Sequence, residues 1–133
     1  MVSETQGGKD GGRRTLGAAG EVAAAAYLSK RGYRVLEANV RCRLGEIDLV
    51  ALHGGVIVFV EVKGNRGGRY GPPEEMVTPA KQRRLTRLAT WYLQRRGWLG
   101  RPARFDVVAV DWGAGDAALV RHFPDAFRGD GGW

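Results

Sequence analysis

The chain has 133 residues, of which 44% are apolar and 26% are charged, and these proportions are ordinary for one soluble globular domain. Its apolar runs are far shorter than the roughly 20 residues that a membrane-spanning helix needs, and its polar, glycine-rich start lacks the apolar stretch of a signal peptide. The single cysteine, Cys42, excludes an internal disulfide and a zinc site built from cysteines. We therefore expect a cytoplasmic protein with no membrane partner.

The net charge of +7 is unevenly distributed along the chain. Residues 63–104 hold 11 basic and 2 acidic side chains, whereas residues 36–62 hold 2 basic and 4 acidic ones. A basic region beside an acidic one is typical of a protein that meets a polyanion, such as nucleic acid, and also holds a cation. The alternative is that the basic excess reflects solubility or genome composition, because 17 of the 21 basic residues are arginine.

The first elements are predicted as follows. Residues 1–13 are polar and glycine-rich without a period, which is typical of a disordered arm. Thr15 could cap a first helix that runs through the Ala-rich stretch to about Arg31, where Gly32 would end it. A strand is predicted from Tyr33 to Asn39.

Two β-branched apolar runs, residues 46–52 and 56–63, surround the pair Gly54-Gly55, and this pattern indicates a β-hairpin. Residues 64–77 are rich in glycine, contain two prolines and are predicted to form a loop. Such a loop is long for a compact domain, so it is either functional or disordered.

The remainder of the chain completes an α/β pattern. Thr78-Pro79 supplies a cap and a first-turn proline for a second helix to about Arg96, and strands are predicted over residues 104–110 and 118–123. The order is helix, three strands, helix, strand, strand. We therefore predict one α/β domain over residues 14–124, with a mixed sheet of four or five strands flanked by helices, and a flexible tail over 125–133.

The acidic side chains of the hairpin are the first candidates for chemistry. Strand alternation predicts two faces on the first strand of the hairpin, one with Glu46, Asp48 and Val50 and the other with Ile47, Leu49 and Ala51. A two-residue turn at Gly54-Gly55 would place Asp48 directly opposite Glu61. The next pair on that face would be Glu46 and Lys63, whereas a three-residue turn would remove both pairs.

Opposed carboxylates require a compensating group. Directly opposed strand residues have Cβ atoms about 4.5–5.5 Å apart, and two carboxylates at that distance repel each other unless a proton, a basic side chain or a divalent cation lies between them. Oxygen ligands suit Mg²⁺ or Mn²⁺, and Lys63 on the same face would add a catalytic ammonium group. The alternative is a solvated ladder of salt bridges, which would contribute about 0–1 kcal/mol per pair.

Four short segments occur in a recognisable order: Gly20-Glu21 in the Ala-rich helix, Gly-Glu-Ile-Asp-Leu-Val at 45–50, Phe-Val-Glu-Val-Lys at 59–63 and Arg-Phe-Asp-Val-Val at 104–108. In these segments, and over about residues 15–111, the chain resembles the YraN-type family of uncharacterised bacterial proteins. That family is assigned to the restriction-endonuclease-like PD-(D/E)XK superfamily, near the archaeal Holliday-junction resolvases. The spacing of Asp48, Glu61 and Lys63 matches the superfamily pattern, although Ile47 rather than proline precedes Asp48.

The resemblance implies a role for each matching residue. Asp48 and Glu61, helped by the backbone carbonyl of Val62, would bind Mg²⁺, and Glu21 would complete the acidic cluster. Lys63 would orient or polarise the attacking water and stabilise charge on the phosphate, which is the usual division of labour in metal-assisted phosphodiester hydrolysis. For Glu21, a solvated helix carboxylate is the alternative.

Basic residues around the hairpin are candidate contacts to phosphate groups: Arg41, Arg43, Arg66, Arg69 and Lys81. The first two flank the mouth of the hairpin, and the next two lie in the glycine-rich loop. Lys81, one helical turn before Leu85, could reach the metal site or extend into solvent. His53 and His122 are predicted to be structural. Trp91, Trp98 and Trp112 are predicted to pack in the core or at its edges, and stacking on bases is the alternative.

The favoured function is a metal-dependent endonuclease that cleaves DNA, with branched or recombination intermediates as the implied substrate. Two alternatives stay open. One is a nucleic-acid-binding module that keeps the fold without effective catalysis, and the other is an interaction factor whose basic face binds an acidic protein. A homodimer is also left open as the state of assembly.

Overall fold

The computed structural model of the chain describes residues 11–66, 76–113 and 118–128. Two helices and five strands follow one another in these residues: α1 (Gly11–Lys30), β1 (Arg34–Cys42), β2 (Gly45–His53), β3 (Val56–Arg66), α2 (Pro79–Arg96), β4 (Ala103–Trp112) and β5 (Ala118–Phe127). The predicted α/β class, the element order and the mixed sheet are confirmed.

Several predicted boundaries move. Helix α1 begins at Gly11, inside the predicted arm, and β5 continues to Phe127, inside the predicted tail. Strand β3 extends through Arg66 into the predicted loop, because β4 offers it parallel backbone partners as far as Trp112. Residues 1–10, 67–75 and 129–133, which hold the remainder of the predicted arm, loop and tail, lie outside the described residues.

The five strands form one sheet in the order β1-β2-β3-β4-β5. Strands β3 and β4 are parallel and the other neighbours are antiparallel, because the chain crosses from β3 to β4 through α2. The helices cover opposite faces: α1 packs on the side of Val58 and Val60, and α2 packs on the side of Phe59 and Val107. Within the described part of the chain, no helix combines the length and the hydropathy needed to cross a membrane.

Helix α2 begins and ends where the sequence predicts. The Thr78 hydroxyl accepts a hydrogen bond from the Lys81 amide at 3.2 Å, and Pro79 occupies the first turn, where a missing N–H has no consequence. Gly97 ends the helix with a φ of 72°, a left-handed conformation that glycine adopts readily. The Thr78 cap therefore places Lys81 in the first turn of α2, from where its side chain reaches Glu61 on β3.

Candidate metal and catalytic site

The β2–β3 hairpin has the predicted register as far as the site. Its pairs run from His53 with Val56 to Leu49 with Val60, as expected for a two-residue turn at Gly54-Gly55. Among the described residues the pairing ends there, so the predicted pairs of Asp48 with Glu61 and of Glu46 with Lys63 are not part of the ladder. The amide of Val62 instead donates to Asp48 Oδ2 at 2.8 Å. The two strands therefore open around Asp48.

Strand alternation is interrupted at the same place. Ile47 and Val50 both pack on the α2 side, whereas Leu49 and Ala51 pack on the α1 side, so the predicted common face of Ile47, Leu49 and Ala51 is wrong for Ile47. On β1, Asn39 lies beside Asp48 and has a φ of 54°, in the left-handed region that asparagine tolerates better than most residues. This distortion frees the Asp48 carboxylate from the regular alternation.

Three carboxylates meet at the opening. Oxygen atoms of Glu21 from α1 and of Glu46 and Asp48 from β2 all lie within 4.8 Å of one another. Helix α1 approaches the sheet closely here, since a Cβ atom on Gly20 would stand 3.7 Å from Val62 Cγ1. The structure thus brings Glu21 to Asp48, and it adds Glu46 to them. A compact group of carboxylate oxygens is the donor set that Mg²⁺ and Mn²⁺ prefer.

The pKa values of the cluster reflect burial and like charge. Burial, followed by the charges of Glu61, Glu21 and Glu46, raises the pKa of Asp48 to about 8, against the lowering effect of the hydrogen bond from the Val62 amide. Burial and then the charge of Glu46 also raise the pKa of Glu21, whereas Asn39, Arg41 and Asp48 act in the opposite direction. Both shifts disfavour the charged form of the carboxylates, and a divalent cation among them would relieve the same repulsion.

Glu61 lies beside the cluster, but its close partners are lysines. Its side chain is 7% exposed, and its Oε2 atom lies 3.1 Å from Lys81 Nζ and 4.0 Å from Lys63 Nζ. Lys63 shares the strand face of Glu61, as predicted, and Lys81 is brought there by the start of α2. A buried carboxylate with two ammonium neighbours is compensated within the protein, which distinguishes Glu61 from Asp48.

The other predicted phosphate contacts are more peripheral. Arg41 Nε lies 3.6 Å from Glu46 Oε2, and its side chain is 68% exposed. Arg43 is exposed in the turn between β1 and β2. Arg66 ends β3, but its side chain and the whole of Arg69 lie outside the described part of the chain. Lys81 contacts Glu61 and does not simply extend into solvent.

Glu46 is the residue that sequence reasoning leaves out of the catalytic set. Strand alternation already places it on the face of Asp48, but the predicted turn register pairs it with Lys63 across the hairpin, and this pairing kept it out of the set. Asn39 is a second omission. No local pattern marks it, because its hydrogen bond with Glu21 depends on how α1 packs on the sheet.

A second buried carboxylate, Asp106 on β4, lies in a closed network. It is fully buried and is hydrogen-bonded to four neighbours at 2.8–3.1 Å: the Tyr33 hydroxyl, Arg104 Nε, His122 Nε2 and the Asp125 amide. Burial alone would raise the pKa of Asp106, but the hydrogen bonds from His122, Arg104 and the Asp125 amide hold that pKa below its ordinary value. His53 stacks on Tyr33 with ring centroids 4.1 Å apart, so both histidines have a structural setting.

Comparisons with known proteins agree on one family. The profile of the uncharacterised protein family UPF0102 matches residues 20–110, which include the acidic cluster and both lysines. A UPF0102 protein of Symbiobacterium thermophilum is 56% identical over 115 residues, covering 86% of this chain and 98% of its own length. A UPF0102 protein of Anaeromyxobacter dehalogenans is 50% identical over 125 residues, covering 94% and 92%. A third, from Syntrophotalea carbinolica, is 48% identical over 119 residues, covering 90% and 96%.

Proposed function

This chain belongs to the uncharacterised protein family UPF0102, and we propose that it is a metal-dependent endonuclease that hydrolyses phosphodiester bonds in DNA. The observation that carries the proposal is the opening between β2 and β3, where three carboxylates converge. Glu61 acts on Asp48 through its charge and is itself contacted by Lys63 and Lys81. Branched DNA and recombination intermediates are the substrates that the YraN-type resemblance implies.

The acidic residues would hold Mg²⁺ or Mn²⁺. Asp48, Glu21 and Glu46 would supply carboxylate oxygens to the ion, and Glu61 and the Val62 carbonyl would be the further oxygen donors. A bound divalent cation supplies a stronger water nucleophile at neutral pH and neutralises charge on the phosphate. The chemistry of the donors, which are all oxygen atoms, fits such a hard cation.

The two lysines supply fixed positive charge. Lys63 and Lys81 meet at Glu61, and their side chains are 30% and 34% exposed, so a phosphate group can approach them from solvent. A preorganised cation near the phosphate stabilises the negative charge that develops in the transition state. Lys63 acts in this way, as an electrostatic stabiliser and not as a base.

Burial favours this proposal over a solvated ladder of salt bridges. Glu61 is shielded from solvent, and the pKa of Asp48 is raised to about 8, chiefly by burial. An exposed ladder would show neither property. Perturbed carboxylates that converge at one place are typical of functional sites.

Metal binding is the first test. Calorimetry and thermal denaturation with Mg²⁺ and Mn²⁺ are compared for the wild type, for Asp48→Asn and for the control Asp125→Asn, an exposed aspartate that faces Arg128 at 3.3 Å. Binding should persist in the control and disappear in Asp48→Asn. An equal response of Asp48→Asn and the wild type would contradict a metal site at Asp48.

Cleavage and binding of nucleic acid form the second test. Branched, flapped, single-stranded and duplex DNA are incubated with the protein with and without Mn²⁺, and metal-dependent cleavage should be lost in Asp48→Asn. Affinity should also fall steeply with salt, by about a thousandfold between about 50 and 200 mM for six phosphate contacts. Salt-sensitive binding without cleavage would favour the inactive binding module, and a flat salt response would favour an acidic protein partner.

A further inference from the structure

A polar groove of about 330 Å³ lies between β1 and α2, next to the acidic cluster. Its lining includes Glu37, Asn39 and Arg41 from β1 and Trp91, Arg95 and Arg96 from α2. Asn39 also hydrogen-bonds to Glu21, and Arg41 faces Glu46. The groove and the candidate metal site therefore share a wall.

One side of α2 connects the candidate metal site with the groove. Lys81, Arg84, Trp91 and Arg95 follow one another at intervals of three, seven and four residues, which aligns them along one side of a helix. Lys81 contacts Glu61 at 3.1 Å, and Arg84 Cδ would stand 3.6 Å from a Cβ atom on Gly45 at the start of β2. At 1.5 Å per residue, Arg95 lies ~21 Å farther along the helix than Lys81. A row of basic side chains thus leads from the metal site into the groove.

Trp91 adds an aromatic surface to this row. It packs against the core and is only partly buried, and the exposed Arg95 guanidinium lies over its ring, 5.4 Å from the centroid. A base that stacks on Trp91 would displace this guanidinium from the ring towards the adjoining phosphate. The acidic residue of the groove, Glu37, accepts hydrogen bonds from the Tyr92 hydroxyl at 2.8 Å and from Arg96 at 2.7 Å, and Arg95 is a further, weaker positive neighbour of its charge. An aromatic ring beside a guanidinium group suits a nucleobase and its phosphate.

We propose that this groove binds an unpaired strand of nucleic acid that extends from the cleavage site, with its phosphates on Arg84 and Arg95 and a base stacked on Trp91. The inference rests on the proposed function and names the part of the substrate that enters the groove. A base within a duplex is stacked on its neighbours and presents no free face, whereas a single strand does. The groove therefore selects flapped or branched DNA with a single-stranded segment.

The test separates base contacts from phosphate contacts. The full chain is titrated, in Ca²⁺, into a fluorescent single-stranded oligonucleotide of about 10 nucleotides and into an abasic oligonucleotide of the same length. Trp91→Leu should weaken binding of the normal strand about tenfold and leave binding of the abasic strand within about twofold of the wild type. Trp91→Phe keeps an aromatic ring and should retain most of the affinity.

The arginines are tested with a matched control. Arg95→Ala should weaken binding of both strands about fivefold to tenfold, and it should reduce the magnitude of the salt slope by about 0.7, as expected for one lost phosphate contact on a single strand. Arg83→Ala removes the same charge from the exposed, opposite side of α2 and should change either affinity by less than about twofold.

The outcomes distinguish the groove from the nuclease. Equal losses in Arg83→Ala and Arg95→Ala, or a Trp91→Leu effect that is as large on the abasic strand, would overturn the strand groove and leave the nuclease proposal intact. A wild-type protein that shows the expected binding pattern but no metal-dependent cleavage would refute the nuclease and keep the groove. If Trp91→Leu does not fold, Trp91→Phe and Arg95→Ala decide the question.

Discussion

Asp48 and Asp106 are aspartates of the same sheet, and their surroundings are opposite in character. Asp106 is fully buried among donors from Tyr33, Arg104, His122 and the Asp125 amide, and its pKa lies below the ordinary value. Asp48 accepts a hydrogen bond from the Val62 amide but faces Glu21, Glu46 and Glu61, and its pKa is raised to about 8.

The difference supports the proposal that Asp48 belongs to a functional site, whereas Asp106 stabilises the fold. A buried carboxylate with a full set of donors stabilises the native state, because each hydrogen bond to a charged group contributes about 1.5–3 kcal/mol. A carboxylate held among other carboxylates destabilises it, and such an arrangement is typical of sites where binding or catalysis uses the charge. We therefore assign Asp106 to folding and Asp48 to the site.

The largest effect is expected on cleavage, at the open end of the hairpin. Lys63→Ala should lower the single-turnover rate by about a hundredfold or more, because a preorganised positive charge is lost from the transition state. The fold should persist, because Lys63 is partly exposed and the closer Lys81, at 3.1 Å, still compensates Glu61. Cleavage is measured with saturating enzyme in Mn²⁺, and binding is followed separately in Ca²⁺.

Lys30→Ala is the control for this substitution, because Lys30 is exposed in the last turn of α1. It should cleave at the wild-type rate. Lys63→Ala with wild-type activity would remove Lys63 from the mechanism and leave it only as a partner of Glu61.

The next effect is expected on stability, in the closed network. Asp106→Asn should lower the free energy of unfolding by about 2–4 kcal/mol, because it leaves Arg104 without its buried countercharge. Urea denaturation measures the change, and the exposed Asp125→Asn, at a φ of 52° that asparagine tolerates, should stay within about 0.5 kcal/mol of the wild type. A loss for Asp106→Asn no larger than that of the control would contradict the structural role.

In the absence of metal, Asp48→Asn should change the free energy of unfolding in the opposite direction and stabilise the protein. The amide keeps an oxygen for the Val62 N–H group and removes the charge that Glu21, Glu46 and Glu61 oppose, so the free energy of unfolding should rise by at least about 1 kcal/mol. For a domain of this size that is about 3–5 °C in Tm, measured in EDTA at about pH 8 and compared with Asp125→Asn. A lower Tm for Asp48→Asn would show that this carboxylate supports the fold.

The smallest effect is the pH dependence of that difference. Because the pKa of Asp48 is about 8 in the folded state against an ordinary value of 3.8, the folded protein binds the proton more tightly, and stability falls as pH rises through this interval. In EDTA, the amount by which Asp48→Asn exceeds the wild type in free energy of unfolding should therefore be smallest near pH 4 and largest above pH 8. A stability difference between Asp48→Asn and the wild type that stays constant across this range would contradict the raised pKa of Asp48.

Asp106 should show the reverse trend. Its pKa lies below the ordinary 3.8 in the folded state, so its contribution is complete above that pH and is lost as pH falls through the folded value. The difference between the wild type and Asp106→Asn should accordingly shrink in acid, as followed by the urea midpoint. A stability difference that grows as the pH falls would show that a titrating group other than Asp106 controls the stability of the network.

Local patterns were sufficient for the elements near the site. The register of the hairpin follows from Gly54-Gly55, because a two-residue turn leaves one pairing that buries the apolar residues of both strands. The bounds of α2 follow from Thr78-Pro79 and Gly97, since capping and the left-handed position depend on neighbours in sequence. The donor types of the site, carboxylates and lysines, can also be identified from the hairpin pattern.

The sequence by itself determined the elements, their order and the chemistry of the hairpin, because these depend on periods and turns a few residues long. Only the tertiary structure decided which charges meet. Glu46 joins Asp48 and Glu21 through the distortion at Asn39 and the close approach of α1, and Glu61 receives Lys81 because α2 starts above β3. Such contacts between charged side chains depend on sheet twist and on the packing of whole elements. No single stretch of sequence specifies these.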